Sequence, residues 1–351
     1  MKQSTPSAPP HSRLGFGAAL RRIAPDLELV ERAMREQLGS ESDLVARVGD
    51  HVLASGGKRI RPTLALLVAE LCGYEGPRVI QISAAIELLH TATLLHDDVV
   101  DVSSLRRGKA SANAVWGNRR AVLTGDFFYA RASSMVVEDG DIDLLWIFAD
   151  AIRRMSEGEL LQLERSYDPT VTETHYYSVI ERKSAVLLAT ASESGAILGG
   201  VTRGERRKLA DFGRELGLAF QLRDDALDYQ AGEAELGKRP YTDIREGKVT
   251  LPLLLALKRC TGYERERLAA VLKSAAQGDE FGGEAEDPAE REHLDVTPVI
   301  ELIERYHGVA DTVRRAEQHI ARAISAIAVF PDSRAKADLL AAAEYCVSRD
   351  R

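Results

Sequence analysis

The segment from Ile82 to Val102, ISAAIELLHTATLLHDDVVDV, is apolar on nearly every side when it is arranged as a helix. A helix of this kind is stable where neighbouring helices cover it, so it belongs in the core of a bundle. Beyond residue 25 the rest of the chain repeats apolar residues at helical spacing, and alternating β-branched runs are nearly absent. The sequence therefore predicts an all-α fold.

Glycine and proline separate the helical segments, as in LCGYEGP and LGGVTRGE, and connections of this length suit antiparallel neighbours. No break in composition marks a linker, so we predict one all-helical domain over residues 26–351. Residues 1–25 are rich in Ser and Pro and contain no acidic residue, which predicts a disordered tail. Residues 277–295 lose the apolar periodicity and are densely acidic, which predicts a surface loop.

Two clusters of aspartates interrupt apolar helices. Asp97 and Asp101 are four residues apart, as are Asp224 and Asp228, so each pair shares one helix face. Such like-charged pairs destabilise an isolated helix by about 0.2–0.5 kcal/mol, and burial raises the cost, so a cation is expected. Oxygen ligands favour Mg²⁺ over Zn²⁺, and Mg²⁺ is usually held by one or two carboxylates with substrate phosphates. A single match could be an accidental acidic surface, but two inside apolar helices predict a magnesium site for a phosphorylated substrate.

Basic residues flank the first cluster. The stretch GGKRIRP offers Lys58, Arg59 and Arg61 beside two glycines, which suits charge-assisted hydrogen bonds to a diphosphate. Arg106 and Arg107 follow directly after the first cluster. Further candidates are Lys183, Ser184, Lys238 and Lys248. Taken singly, residues of these types are more often exposed on the surface than bound to a ligand. From these residues alone we predict a metal-dependent site for one or two phosphorylated substrates.

Overall charge and cysteine usage restrict the partners. The formal net charge is −8, so no global positive field attracts a nucleic acid, and no nucleic-acid partner is expected. Cys72, Cys260 and Cys346 lie far apart without metal-ligand spacing, which favours a reducing compartment. No uninterrupted apolar run reaches the roughly 18 residues that span a bilayer. We therefore expect a cytoplasmic protein without a transmembrane segment.

The histidines other than His90 show no metal-ligand spacing, and we expect them at surface or packing positions.

Six motifs occur in the order found in the trans-isoprenyl diphosphate synthases, or polyprenyl synthetases: GGKRIRP, ELLHTATLLHDDVVDVSSLRRG, LTGDFFYARA, ERKSA, AFQLRDDALDY and GKRPYTDIREGKVTLPLL. The chain resembles this family over nearly its whole length after the tail, and most resembles the bacterial members that make an octaprenyl chain. The resemblance implies an isoprenoid synthase fold, with antiparallel helices around a deep central cavity and the two aspartate triads facing across its mouth. It also implies a homodimer and Mg²⁺ ions that bridge the triads to an allylic diphosphate.

The resemblance assigns site residues by their match to the family's motifs. The metal ligands are matched by Asp97, Asp98, Asp101, Asp224, Asp225 and Asp228. The positions that bind isopentenyl diphosphate are matched by Lys58, Arg61, His90 and Arg107. Those around the allylic diphosphate are matched by Arg106, Lys183, Ser184, Gln221, Lys238 and Lys248, with Ser184 where Thr is common. The catalytic set is then expected to be Asp97, Asp101, Arg106, Lys183, Asp224 and Lys238.

The implied activity is head-to-tail elongation of farnesyl or geranylgeranyl diphosphate by isopentenyl diphosphate, through ionisation, condensation and proton loss. Ala92 and Thr93 stand five and four residues before Asp97, where short-chain members carry bulky aromatics. Small residues there leave the cavity open, and Met135 and Val136 on the following helix are candidate floor residues. The resemblance therefore implies a long-chain product of the octaprenyl type, which would supply a quinone side chain.

Three alternatives remain beside this interpretation. One is a shorter-chain prenyl diphosphate synthase. Another is a class I terpene cyclase, which usually has an Asn/Ser/Glu-type second metal motif and needs no GGKRIRP site, in contrast to this sequence. The third is a non-catalytic subunit of a heteromeric synthase, which typically loses one aspartate motif, whereas both are intact here. Transient membrane contact during product release is compatible with each synthase interpretation.

Overall fold

The computed structural model describes residues 10–54, 56–230, 241–277 and 295–348. The chain begins with α1 (Pro10–Arg22), α2 (Ala24–Glu36), α3 (Asp43–Leu53), α4 (Ile60–Leu71) and α5 (Arg78–Val100). A hairpin of β1 (Leu105–Arg106) and β2 (Lys109–Ala110) precedes α6 (Ala112–Trp116), α7 (Asn118–Asp139), α8 (Ile142–Leu163) and α9 (Glu173–Ile180). A π-helical turn (Glu181–Ala185) leads into α10 (Val186–Leu198), α11 (Arg203–Asp228), α12 (Thr242–Arg245), α13 (Leu251–Arg259), α14 (Gly262–Gln277), α15 (Thr297–Arg305), α16 (Gly308–Ile327) and α17 (Arg334–Ser348). Within these ranges the hairpin is the one β element, which confirms the all-α prediction.

The described helices group into two compact units, although the sequence showed no composition break and predicted one domain over 26–351. Unit 1 takes its residues from Met1–Arg153, Ala185–Gly217 and Ile320–Arg349. Unit 2 takes its described residues from Arg154–Ser184 and Leu218–His319. Because α8, α11 and α16 each contribute residues to both units, no linker could have appeared in the sequence.

Helix α5 is the core of unit 1. It packs against α7, α2, α4 and α10, and its buried residues lie on all its sides, as the sequence predicted. It is also the one helix among the described residues that is long and apolar enough to cross a membrane. However, 67% of its most apolar window is buried inside the protein, as is usual for the core helix of a globular fold.

The amino-terminal prediction needs correction, because α1 begins at Pro10 within the segment expected to be disordered. Phe16 and Ala19 are buried against Ala342 of α17, and the Phe16 ring stacks on Tyr345 with centroids 4.8 Å apart. Arg22 adds ion pairs to α4 and α17. The apolar stretch LGFGAAL thus has a partner at the other end of the chain, which local composition could not reveal. Residues 1–9 and nearly all of the acidic segment 277–295 lie outside the described residues.

Unit 2 is built around α13, whose residues from Leu251 to Leu257 are all buried. It packs against α9 and α15. Glu173 at the start of α9 forms ion pairs with Lys258 of α13 and Arg315 of α16, which ties these helices together. Unit 2 also contains the π-helical turn as far as Ser184 and the end of α11 from Leu218.

Candidate active site

The first aspartate triad lies at the carboxyl end of α5, in unit 1. Asp98 is buried, with 3% of its surface exposed, and its Oδ1 accepts a hydrogen bond from Arg106 Nε at 2.7 Å. Asp97 and Asp101 are partly exposed to solvent. Arg106 therefore compensates the buried carboxylate, while the two carboxylates on the shared helix face remain reachable by a cation from solvent.

A hairpin turn places the two arginines that follow the triad. Arg106 pairs with Lys109 in the antiparallel ladder, and the turn residues Arg107 and Gly108 have φ of 51° and 75°. Positive φ at both central positions is the geometry of a type I′ turn, which suits the twist of the strands but is uncommon for arginine. Residues held in such conformations concentrate at functional sites. The hairpin is absent from the sequence predictions, which named only its arginines.

A cluster of positive charges surrounds His90. Burial, followed by the charges of Arg61, Arg107 and Arg106, lowers the pKa of His90 well below 6.5. Burial also lowers the pKa values of the Arg61 and Arg107 guanidinium groups. The buried Nε of Arg61 donates to no group among the residues that the structure describes. Gathered cations and an unsatisfied buried donor favour an anionic ligand at this position.

The other basic residues of GGKRIRP have different surroundings. Arg59 lies in the left-handed region with φ of 47°, and its guanidinium binds Glu31 at 3.0 Å and Glu87 at 3.1 Å. Arg59 is therefore a structural cation, although the sequence grouped it with the diphosphate cradle. Lys58 Nζ lies 5.1 Å from the ring centroid of Tyr345, within reach of a cation–π interaction.

Gly57 allows the cluster to close. A Cβ at this position would lie 3.0 Å from Nη1 of Arg107, so a side chain would displace that guanidinium. The second glycine of GGKRIRP is thus explained by the close approach of an arginine from the hairpin.

We expect the free energy of unfolding to fall as the pH drops below about 6.5, and His90→Gln to remove that part of the slope. The unfolded imidazole takes up a proton near pH 6.5, whereas the folded one stays neutral. The unfolded state therefore binds more protons in this range, and stability falls by up to about 1.4 kcal/mol per pH unit. Urea unfolding of both proteins at about pH 7.5 and about pH 5.5 measures the difference. Equal pH slopes in the two proteins would assign the effect to other groups.

The second aspartate triad lies at the end of α11, in unit 2. Asp225 is 3% exposed, and burial raises the pKa of its carboxyl to about 6. Tyr176 donates its hydroxyl to Oδ2 of Asp225, and Gln221 Nε2 donates to Oδ1 at 2.8 Å. Ser184 Oγ in turn donates to Gln221 Oε1 at 2.7 Å. A continuous hydrogen-bonded chain therefore links the Lys183–Ser184 dipeptide to the aspartate motif.

Asp228, the last aspartate of this triad, is 1% exposed. Its carboxylate accepts the backbone N–H groups of Thr242 at 3.3 Å and Asp243 at 3.1 Å. The same residue accepts Tyr241 N–H through its backbone carbonyl at 3.2 Å. Asp228 thus fastens the start of the following segment, whereas Asp224 is partly exposed to solvent.

The Lys183–Ser184 dipeptide lies in the π-helical turn. Such turns are rare and are frequent at functional sites, because the inserted residue redirects neighbouring side chains. Lys183 Nζ binds Glu159 of α8. Gly158 allows this approach, since a Cβ there would lie 2.8 Å from the backbone nitrogen of Lys183.

A cavity of about 140 Å³ in unit 2 brings several of the predicted residues together. Its lining includes the expected Lys183, Ser184, Gln221, Asp225 and Lys248. It also includes polar residues that the sequence did not single out: Gln162, Arg165, His175, Tyr176 and Asp243. His175 had been assigned with the other histidines to the surface or to packing. Lys238 lies outside the described residues.

Hard cations fit the donor set of both triads. Within the described ranges, no three His, Cys, Asp or Glu side chains form a metal cluster from the protein alone. Mg²⁺ commonly takes only one or two protein carboxylates and completes its shell with water and phosphate. The partly exposed Asp97, Asp101 and Asp224 provide such donors. Burial disfavours the charged form of the Asp225 carboxyl and so raises its pKa, and a nearby cation would stabilise that charged form.

The residues expected to control product length are buried in unit 1. Ala92 of α5 is 1% exposed, and Met135 and Val136 of α7 are 4% and 1% exposed. Thr93 is partly buried and donates its hydroxyl to the carbonyl of His90 at 2.8 Å. Since α5 packs against α7, both candidate sets belong to the same helix–helix core.

Known proteins resemble this chain in sequence over most of its length. The family model for polyprenyl synthetase matches residues 42–282. Octaprenyl diphosphate synthase of Escherichia coli (strain K12) is 42% identical over 328 residues, which cover 93% of this chain and 97% of that protein.

Solved structures give the same architecture. Polyprenyl synthase from Caulobacter crescentus CB15, solved with calcium and isoprenyl diphosphate, has a TM-score of 0.86 and 37% identity, covering 99% of this chain and 100% of that one. A decaprenyl diphosphate synthase from Rhodobacter capsulatus has a TM-score of 0.85 and 35% identity, and the match covers 96% of this chain and 99% of that one. These matches confirm the isoprenoid synthase fold. The chain belongs to the polyprenyl synthetase family.

Proposed function

We propose that this protein is a prenyltransferase that makes long all-trans polyprenyl diphosphates, adding isopentenyl diphosphate units to an allylic diphosphate. The observation that carries the proposal is the arrangement in unit 1. There a cluster of cations around His90 is joined, through the Arg106–Arg107 hairpin, to an acidic triad with solvent-reachable carboxylates. An anion site and a cation site built on one hairpin suit a metal-dependent enzyme with diphosphate substrates.

Magnesium is the proposed metal. In unit 1, Asp97 and Asp101 would be direct protein ligands, and in unit 2 Asp224 would be one, since these carboxylates are the partly exposed members of their triads. Asp98, Asp225 and Asp228 would act next to them. Asp98 binds the Arg106 guanidinium. Asp225 accepts the Tyr176 hydroxyl and the Gln221 side-chain amide. Asp228 accepts the backbone amides of Thr242 and Asp243. This division refines the family assignment of all six aspartates as metal ligands.

Isopentenyl diphosphate would bind at the basic cluster of unit 1. Arg61 and Arg107 supply charge-assisted hydrogen bonds, and neutral His90 supplies one N–H donor. Lys58, held over the Tyr345 ring, adds a fourth donor.

The allylic diphosphate would be bound by the remaining matched residues: Arg106, Lys183, Ser184, Gln221, Lys238 and Lys248. When bound, Mg²⁺ supplies positive charge that stabilises the departing diphosphate. The lysines and Arg106 add fixed charge to the same leaving group, so that the allylic C–O bond breaks to a delocalised cation. The double bond of isopentenyl diphosphate attacks that cation and forms the new C–C bond. The resulting cation then loses a proton to the released diphosphate, which leaves an allylic diphosphate longer by one isoprene unit. The apolar side chains of α5 and α7 exclude water, which would otherwise capture the allylic cation.

The proposed product is of the octaprenyl type, destined for a quinone side chain. Ala92, Met135 and Val136 are buried. The small side chain of Ala92 is proposed to leave room for a growing isoprenoid, and Met135 and Val136 are proposed as the floor.

Substitution of Arg61 by Met should raise the KM for isopentenyl diphosphate about 10- to 100-fold, with little change in the KM for farnesyl diphosphate. The reason is the loss of a charged hydrogen bond worth about 1.5–3 kcal/mol. Steady-state kinetics with each substrate varied in turn measure the two constants. The control is Arg35→Met, which removes an exposed arginine that pairs with Asp50. Equal rises in both KM values would contradict the assignment.

We also propose a homodimer. Val122, Tyr129 and Val137 of α7 are exposed apolar side chains that recur on one face of the helix, which they share with the exposed Asp126. Sedimentation equilibrium is expected to give twice the chain mass, and Tyr129→Glu is expected to shift it towards one chain mass. A monomeric wild-type protein would contradict this part of the proposal. A cytoplasmic location and transient membrane contact during product release belong to the same proposal.

The function is tested by incubating the purified protein with Mg²⁺, farnesyl diphosphate and labelled isopentenyl diphosphate. The proposal expects label in long prenyl diphosphates. Cyclic hydrocarbon formed from farnesyl diphosphate alone would instead identify a terpene cyclase. Turnover only after a second protein is added would identify a subunit of a heteromeric synthase.

A further inference from the structure

We propose that Tyr167 is a positioning residue for Lys248. It would act through the loop Tyr241–Thr250, which carries Asp243 and Lys248 to the cavity of unit 2. Tyr167 follows α8 and is part of unit 2, as is the whole loop. What Lys248 binds rests on the proposed function; that Tyr167 holds the loop does not.

The backbone of Tyr167 is in the left-handed region, with φ of 60°. A bulky non-glycine residue adopts this conformation at a cost of order 1 kcal/mol or more, and it persists where surrounding contacts impose it. The side chain is 8% exposed, so those contacts are extensive. The contacts made by this residue are therefore the place to look for a role.

Three contacts join Tyr167 to one short stretch of the loop. Its backbone N–H donates to the carbonyl of Gly247 at 2.8 Å, and its hydroxyl donates to the carbonyl of Arg245 at 3.1 Å. Its ring lies against Gly247, where a Cβ would be 2.6 Å from the ring edge. Gly247 has φ of 75°, so the glycine serves both the turn and the close approach.

The loop has a second, separate anchor. The carboxylate of Asp228 accepts the N–H groups of Thr242 and Asp243, as described above. Lys248 N–H then donates to the carbonyl of Asp243 at 2.7 Å, which closes the loop on itself. Asp228 thus fixes the start of the loop and Tyr167 fixes the stretch immediately before Lys248.

The two anchors have different consequences. Loss of Tyr167 leaves the start of the loop attached, so unit 2 stays folded while the stretch before Lys248 gains freedom. Lys248 Nζ binds Glu246 at 2.6 Å, and both residues move with that stretch. The expected result is weaker binding of the ligand that Lys248 contacts, without loss of the helices around it.

The test compares Tyr167→Phe and Tyr167→Asn with the control Tyr263→Phe. Phe keeps the ring against Gly247 and loses the hydroxyl. Asn adopts the left-handed conformation readily and loses both ring and hydroxyl contacts. Tyr263 is 70% exposed on α14, so its substitution controls for removal of a tyrosine hydroxyl in the same unit.

Two readouts are measured on each purified protein. Amide hydrogen exchange of the peptide covering 241–250 should accelerate about tenfold in Tyr167→Asn and less in Tyr167→Phe, with the rest of the chain unchanged. The KM for farnesyl diphosphate should rise about tenfold in Tyr167→Asn, with less than about a twofold change in the KM for isopentenyl diphosphate. Tyr263→Phe should match the wild type in both.

The outcomes separate this inference from the proposed function. Unchanged exchange in Tyr167→Asn overturns the positioning role, whatever the activity. Faster exchange with equal changes in both KM values overturns the link to Lys248 and leaves Tyr167 as a purely structural residue. If the wild-type protein does not elongate farnesyl diphosphate, the proposed function fails, while the exchange result still decides whether Tyr167 holds the loop.

A double-mutant cycle between Gly247 and Tyr167 gives an independent check. Gly247→Ala places a methyl group against the Tyr167 ring and should accelerate exchange in the same peptide. In the Tyr167→Asn background the added methyl meets a smaller side chain, so the further change should be smaller than in the wild-type background. Equal effects in the two backgrounds would contradict direct contact between these residues.

Discussion

Asp97→Ala and Asp224→Ala should each lower kcat by about a thousandfold or more while the protein stays folded. Each change removes a carboxylate that is proposed to hold Mg²⁺ against the departing diphosphate, and metal charge at such a position supplies several kcal/mol of transition-state stabilisation. Both residues are partly exposed to solvent, so neither substitution removes a fully buried side chain. Steady-state turnover at saturating substrate measures the effect.

The matched control is Asp332→Ala, which removes a fully exposed aspartate from the loop before α17. It should turn over at the wild-type rate. Circular dichroism and thermal unfolding of all three variants establish that they remain helical and folded. A wild-type rate in either triad variant would remove that aspartate from the metal site.

Ala92→Phe should shorten the product by several isoprene units, which is the second large effect expected. Ala92 is 1% exposed on α5, one turn before Asp97, so an aromatic ring there occupies space that a growing chain is proposed to use. Chromatography of the dephosphorylated products reads the chain length. A larger side chain in a packed core costs about 1–3 kcal/mol of stability. Thermal unfolding of Ala92→Phe is therefore measured beside the assay, to show that the variant is folded.

Two further variants make this result decisive. Thr93→Phe adds the same ring at a partly buried neighbour and tests the site if Ala92→Phe does not fold. Val329→Phe adds it at a position that is 59% exposed after α16, and should leave the product unchanged. An unaltered chain length in folded Ala92→Phe would show that α5 does not limit the product.

The parts of the fold that follow from local pattern were predictable. The segment Ile82–Val102 is apolar all round by its sequence alone, and a helix of that kind must be buried. The i,i+4 spacing of Asp97 and Asp101 likewise fixed a shared face. The prediction of a disordered tail over residues 1–25 was wrong where α1 forms, because α1 packs on α17, more than 300 residues away in the sequence.

The details of the site were less accessible, since they depend on backbone conformation and on distant partners. Nothing in SLRRGKA distinguishes a type I′ turn with Arg107 at positive φ from an ordinary loop. Arg59 could not be separated from Arg61, because its partners Glu31 and Glu87 lie on other helices. His175 and Tyr176 reach the cavity only through the packing of α9, which no motif in the sequence indicates.

The two triads have the same sequence pattern, but their aspartates differ in their contacts. Each reads D-D-x-x-D, yet Asp98 is bound by Arg106, Asp225 by Tyr176 and Gln221, and Asp228 by two backbone amides. The match to the family's motifs assigns all six aspartates to metal. Burial and hydrogen bonding suggest a division between three ligands and three residues that hold their neighbours in place.

The most direct test of the account is a crystal structure of the protein with Mg²⁺ and a farnesyl diphosphate analogue in which carbon–sulfur replaces the allylic carbon–oxygen bond. The account predicts Mg²⁺ bound through Asp97 and Asp101 in unit 1, and Mg²⁺ bound through Asp224 in unit 2. Asp98, Asp225 and Asp228 should keep the protein partners described above. A bound analogue with no metal at either triad, or a diphosphate held away from both, would contradict the proposed chemistry.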